Sequence, residues 1–146
     1  MKQKKGLFPY TIGEDISHAV SHGVGAIFAY IGLIYLVFVA STQGTVIDVV
    51  AFAIYGTTLL TMFLMSTIYH SLQHKTSRTV FKRLDHVAIF LLISGTYAPL
   101  IGVINTPKVY FVFAIVVLLS IAGIIFKSLF AGRYNRLMVA LYLILG

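Results

Sequence analysis

The chain has 146 residues, of which 59% are hydrophobic and 10% charged, and its mean hydropathy is +0.95. A soluble domain carries about a quarter charged residues, so a soluble fold of this size is excluded, and lipid is the expected solvent. The formal charge of +7 does not indicate nucleic acid, because the basic residues lie between apolar blocks without interleaved aromatic side chains; membrane topology and anionic headgroups account for them.

The entry segment, 1–15, is polar and contains Lys2, Lys4 and Lys5. A first apolar block follows over about 19–40, too long for a signal sequence and without a small-residue cleavage site, so it reads as a retained span. Gly44 marks a short turn, and a second span covers about 49–72. The polar, basic segment 74–83 reads as a hairpin that returns the chain to the membrane. A third span, about 87–104, contains Gly95, Pro99 and Gly102, and the proline predicts a local kink. After a turn at 105–108 comes a fourth span, about 109–126, then Lys127, Arg133 and Arg136, and a last apolar piece, 137–146. Ten helical residues rise only about 15 Å, half of a hydrocarbon core about 30 Å thick. The expected fold class is therefore all-α, a multipass transmembrane bundle of four full spans and a partial fifth, in a chain cut within that fifth span. There are no cysteines, so no thiolate chemistry is available.

Lys and Arg concentrate at the amino terminus, in 75–83 and in 127–136, whereas the turn at 41–45 has none. The positive-inside rule then places the amino terminus in the cytoplasm.

Ionisable groups within apolar helices are costly and face a bundle interior or a cavity, which makes the few present here the candidates for function. Ser66 and His70 share one face of the second span near its cytoplasmic end, and Asp85 opens the third span at the same side. A neutral imidazole can bind zinc, a carboxylate can orient a water, and a hydroxyl can stabilise an oxyanion. The same three groups can equally form a hydrogen-bonded trio that locks two helices together. His18 and His22 form a second pair at helical spacing, with Glu14 one turn before His18. This pattern suits a metal or a polar helix end at the interface, and for His18 the interface is the better reading. The first span would have to lie beside the second at equal depth for this pair to join His70. His86 and His74 read as solvent-facing. Ser17, Ser21, Gly25 and Ala29 place a small residue at every fourth position of the first span, which predicts close helix packing.

Three motifs, Ser66-Thr-Ile-Tyr69-His70, Leu84-Asp85-His86-Val-Ala-Ile89 and Gly95-Thr96-Tyr97-Ala-Pro99, together with Glu14 and Ser21-His22-Gly23-Val-Gly25, resemble the hemolysin III family over essentially the whole chain. That family is grouped with the progestin and adipoQ receptors and is more distantly similar to alkaline ceramidases. The resemblance implies a seven-helix bundle in the cell membrane, a bacterial plasma membrane, with a cytoplasmic amino terminus. It also implies zinc as a cofactor, bound by His70 and by two histidines of a later H-x-x-x-H motif, with Ser66 and Asp85 holding or activating a water. This sequence contains no such later motif, so the implied site is incomplete, and Glu14 and His22 are its additional polar candidates. Membrane lipids are the implied partners, and a second copy of the chain is a further one. Three functions follow as alternatives: a zinc-dependent lipid amide or ester hydrolase, a pore-forming cytolysin, and a role in membrane fluidity or lipid homeostasis through hydrolysis or lipid sensing.

Overall fold

The first helix starts where Thr11 and Glu14 form a reciprocal cap: the Thr11 side chain accepts from the Glu14 backbone N–H, and the Glu14 carboxylate accepts from the Thr11 N–H. Thr45 and Asp48 repeat this arrangement at the start of the second helix. The computed structural model of the chain describes residues 10–130 and 135–146, the side chains of 135 and 136 excepted. Within them lie five α-helices: α1 (Ile12–Gln43), α2 (Val46–Ser71), α3 (Lys75–Ile104), α4 (Pro107–Leu129) and α5 (Asn135–Leu145). Lys2, Lys4, Lys5 and Arg133 lie outside the described residues, as does the side chain of Arg136.

Helices α1 to α4 are each long and apolar enough to cross a membrane. At about 1.5 Å per residue, the 32 residues of α1 rise about 48 Å, well beyond a hydrocarbon core about 30 Å thick, so the ends of this helix reach into the headgroup region. Side chains such as Phe28, Phe38, Val46 and Leu118 stand exposed along the helices, as a lipid solvent requires. The expected all-helical multipass architecture is therefore what the chain adopts.

Each helix packs against its neighbours in sequence, α1 on α2, α2 on α3 and α3 on α4, while α5 lies against α3 and α4. Among the described residues α1 and α3 do not pack on one another. Small residues allow the close approaches. Gly56 of α2 sits against Leu33 of α1, and Gly95 of α3 sits against Thr58 of α2. Phe90, Ile93, Val116, Met138 and Leu145 form an apolar core shared by α3, α4 and α5.

Three expectations are corrected. The basic segment 74–83 is not a hairpin: His74 caps α3, the basic residues occupy its first turns, and the connection shrinks to the short stretch between Ser71 and Lys75. Twelve residues of α3 thus precede the third apolar block and carry Lys75, Arg78, Lys82 and Arg83 through the interfacial zone. The stripe of small residues in α1 is also only half right. Ser17 and Ser21 are exposed and donate to the carbonyls of Gly13 and His18, whereas Gly25 and Ala29 pack. A four-residue step overshoots one turn by about 40°, so the stripe drifts off the packing face within three steps. That face instead runs through Asp15, His22, Ala26 and Ala29. The third concerns His86, which does not face solvent and is placed with the site below. Pro99 leaves α3 assigned as one helix, which ends where Asn105 adopts a left-handed conformation with φ 44°.

Candidate functional site

At the end of the row formed by the start of α1, the end of α2 and the start of α3, polar side chains are buried together. Asp15 is 3% exposed, His70 8% and Arg78 1%. Arg78 Nη2 donates to both Asp15 oxygens, at 2.7 and 2.8 Å, and His70 Nδ1 lies 2.9 Å from Asp15 Oδ1. The Arg78 Nη1 makes a longer contact of 3.4 Å with the Leu72 carbonyl, one of the acceptors that the end of α2 leaves without an intrahelical donor. A cation taken out of water near the positive end of a helix is stable only with an anion beside it. Asp15 supplies that anion from α1, a helix whose backbone does not pack against α3.

Aromatic rings close around His70. Tyr69 lies 4.5 Å from it between centroids, His18 4.7 Å and Tyr10 5.3 Å. The Arg78 guanidinium carbon stands 5.3 Å from the centre of the Tyr69 ring, a cation–π contact. The first span therefore does lie beside the second at equal level, and His18 is drawn onto the His70 ring rather than left at a polar helix end.

One turn further into the membrane on each helix are His22 and Ser66. Ser66 is buried. His22 packs against Phe63 of α2 at 5.7 Å, and its Nδ1 is buried with no hydrogen-bond partner. Asp85 of α3 is close enough for its charge to act on His22 and on Tyr142, and its Oδ2 is 4.0 Å from His86 Nδ1. His86 is half-buried, with Nδ1 meeting the Lys82 carbonyl and its own carbonyl accepting from Tyr142. The solvent-facing expectation for His86 leaves out α5, whose Tyr142 bonds to its carbonyl. His74 is exposed, as expected, with Nδ1 3.3 Å from Ser77 Oγ.

The candidates thus fall into two tiers. His70 belongs to an outer tier with Asp15 and Arg78, and its hydrogen-bonded carboxylate is Asp15 rather than Asp85. His22, Ser66 and Asp85 make up an inner tier. Glu14 joins neither: it is exposed and its carboxylate is occupied by the Thr11 cap. Asp15 and Arg78 are the residues that sequence reasoning missed. Asp15 was legible from periodicity, since it precedes His18 by three positions and His22 by seven and so shares their face. Arg78 was not, because it sits among basic residues that are otherwise exposed or half-buried, and nothing local distinguishes it.

For a metal ion the described residues fall short. No three His, Cys, Asp or Glu side chains among them are grouped so that they could hold one. His70 has one ring nitrogen already committed to Asp15, leaving a single donor where a closed zinc site takes about four.

Comparison with known proteins agrees with the motifs. The family model described as "Haemolysin-III related" matches residues 10–146. The chain is 36% identical over 138 residues to the "Hemolysin-3 homolog" of Bacillus subtilis (strain 168), an alignment covering 94% of this chain and 65% of the relative. It is 40% identical over 147 residues to "Hemolysin-3" of Bacillus cereus, covering 100% of this chain and 67% of the relative. The chain thus spans about two thirds of the length of these curated relatives. No solved structure matches it. With the family model covering nearly every residue and both relatives aligned through the helices that carry the two polar tiers, the chain belongs to the hemolysin III family of membrane proteins.

Proposed function

We propose that this protein serves membrane lipid and fluidity homeostasis, and that it does so through the polar groups Ser66, His70, Asp85 and His22. The observation that carries the reading is the two-tier cluster itself. Ionisable side chains buried beside apolar spans are costly and persist where they have a task, and these stand at the level where lipid carbonyls and headgroups lie. The working orientation puts this end of the helices at the cytoplasmic face of a bacterial plasma membrane, in keeping with the concentration of Lys and Arg there.

Membrane lipids are the partners on this reading. Whether they are hydrolysed or sensed divides it into two forms, and zinc belongs to the first. Because the described residues do not complete a zinc site, no step is assigned to a metal. What these residues offer is a hydroxyl at Ser66, a carboxylate at Asp85 and ring nitrogens at His22 and His70, which can hydrogen-bond an ester or amide group and orient a water beside it. A second copy of the chain, or helices beyond these residues, would be the source of further donors.

The test is lipid analysis of cells that express the chain. A change in acyl-chain or headgroup composition with the wild type, absent with Asp85→Asn at equal protein level, supports the proposal; no change with the wild type overturns it.

The name of the Bacillus cereus relative, hemolysin-3, favours a second reading, a cytolytic pore. It predicts release of dye from liposomes by the purified protein, undiminished by His70→Ala. The mostly apolar membrane-spanning segments, with no continuous polar stripe to line a channel, favour the first reading.

A further inference from the structure

His70 reaches a carboxylate that comes from 55 positions away, while its own helix supplies no partner to its Nδ1. That carboxylate is held on the other side by Arg78, whose guanidinium stays charged and donates to both oxygens. An ionised carboxylate has no hydrogen to give. The hydrogen in the 2.9 Å contact between His70 Nδ1 and Asp15 Oδ1 therefore belongs to the imidazole.

We infer that Asp15 is the positioning residue of His70: backed by Arg78, it fixes the neutral ring as the Nδ1–H tautomer and leaves Nε2 as the lone-pair nitrogen. For an exposed neutral histidine the other tautomer predominates, so this form is imposed by the fold. Tautomer and ring direction of a working histidine are set by the hydrogen bond of its second nitrogen. The rings of Tyr69, His18 and Tyr10 pack around it, 4.5, 4.7 and 5.3 Å away between centroids, and restrain its rotation. The inference gives Asp15 and Arg78 a purpose that Ser66, Asp85 and His22 do not share. It rests on the reading of His70 as a working group.

The substitution that separates positioning from simple support is Asp15→Asn, which keeps size and shape. Arg78 Nη2 meets both carboxylate positions and so does not choose between the two carboxamide orientations; the intrinsic preference of a neutral imidazole for the Nε2–H form favours the one that turns the Nδ2–H₂ to His70. Nδ1 then becomes an acceptor, and the ring proton moves to Nε2. The same logic governs the histidine of the serine-protease triad when its aspartate is changed to asparagine.

The experiment is ¹⁵N NMR of the full chain, labelled at histidine and held in lipid nanodiscs, with the His70 signal identified by its loss in His70→Gln. The expected result is a wild-type His70 in the Nδ1–H form, shifting to Nε2–H in Asp15→Asn. A wild-type His70 in the Nε2–H form overturns the inference, and so does a tautomer unchanged in a folded Asp15→Asn protein. Should that variant not fold, the wild-type spectrum alone still decides. Lipid analysis of the same cells keeps the two ideas apart: a wild type without effect on lipids defeats the proposed function, whereas the tautomer result stands or falls by the spectrum.

Discussion

Asp15 and Arg78 are 63 positions apart and link two helices that have no packing contact of their own, through one guanidinium nitrogen lying within 2.8 Å of both carboxylate oxygens. Removing one member of a buried pair strands the other charge, which costs about 3–5 kcal/mol, whereas replacing both by apolar residues of similar volume is often neutral or stabilising. Asp15→Ala and Arg78→Ala should each lower stability by about that amount. Asp15→Leu combined with Arg78→Met should recover most of it. Unfolding of the four proteins by added denaturing detergent measures the difference, and a double variant as unstable as the worse single one would refute the account.

A second prediction concerns the approach of α1 and α2. A Cβ placed on Gly56 would stand 2.6 Å from Leu33 Cδ1 and 3.1 Å from its Cα, so the obstacle includes backbone, which cannot swing aside. Gly56→Val should therefore push the helices apart and cost about 1–3 kcal/mol. Spin labels on exposed positions of the two helices should report an increased separation; an unchanged distance at unchanged stability would contradict the packing described.

His22 carries a buried ring nitrogen without a partner, a condition that costs about 1–3 kcal/mol. His22→Phe keeps the ring contact with Phe63 and removes the orphaned nitrogen. The variant should be as stable as the wild type or more so, while losing the effect on lipid composition. A loss of stability in the same detergent titration would mean that the imidazole is structural.

The short α5 is fastened to α3 by two tyrosines. Tyr142 Oη donates to the His86 carbonyl at 3.2 Å, and Tyr97 Oη donates to the Leu145 carbonyl at 3.0 Å. Changing both to phenylalanine preserves the apolar contacts, including the ring of Tyr142 at 4.8 Å from Phe90, and removes two bonds of about 1 kcal/mol each. Hydrogen exchange of the α5 backbone should accelerate while that of α2 stays unchanged.

Membrane crossing was legible in the sequence because it depends on a property that sums along a helix, and the runs of apolar residues ending at Ala40, Leu72, Ile104 and Phe126 leave no other solvent. Helix ends were less legible. The first turns of α3 are charged, and charge reads as loop, although a helix that outruns the hydrocarbon core carries its polar turns in the headgroup zone. Ser66, His22 and Asp85 stood out one by one because they are conspicuous against apolar neighbours, but the sequence joined Ser66 and Asp85 to His70 and set His22 apart with His18. Asp15 was passed over for Glu14, its immediate neighbour, because one position along a helix means about 100° around it, and only the partner helix decides which of two adjacent carboxylates turns inward. Arg78 could not have been singled out: its burial depends on meeting a residue from another helix.

The row-like packing of the helices has a bearing on how the protein is made. Since each long helix rests on the one that precedes it, α1 with α2 and α3 with α4 can associate as soon as they leave the insertion machinery, with little entropy spent on closing large loops. The Asp15–Arg78 link is the exception. It cannot close before α3 has been synthesised, and until then Asp15 waits at the interface without its cation. Formation of that ion pair ties α1 directly to α3, and a nascent chain released before Arg78 would leave α1 and α2 paired but His70 without its anchored carboxylate.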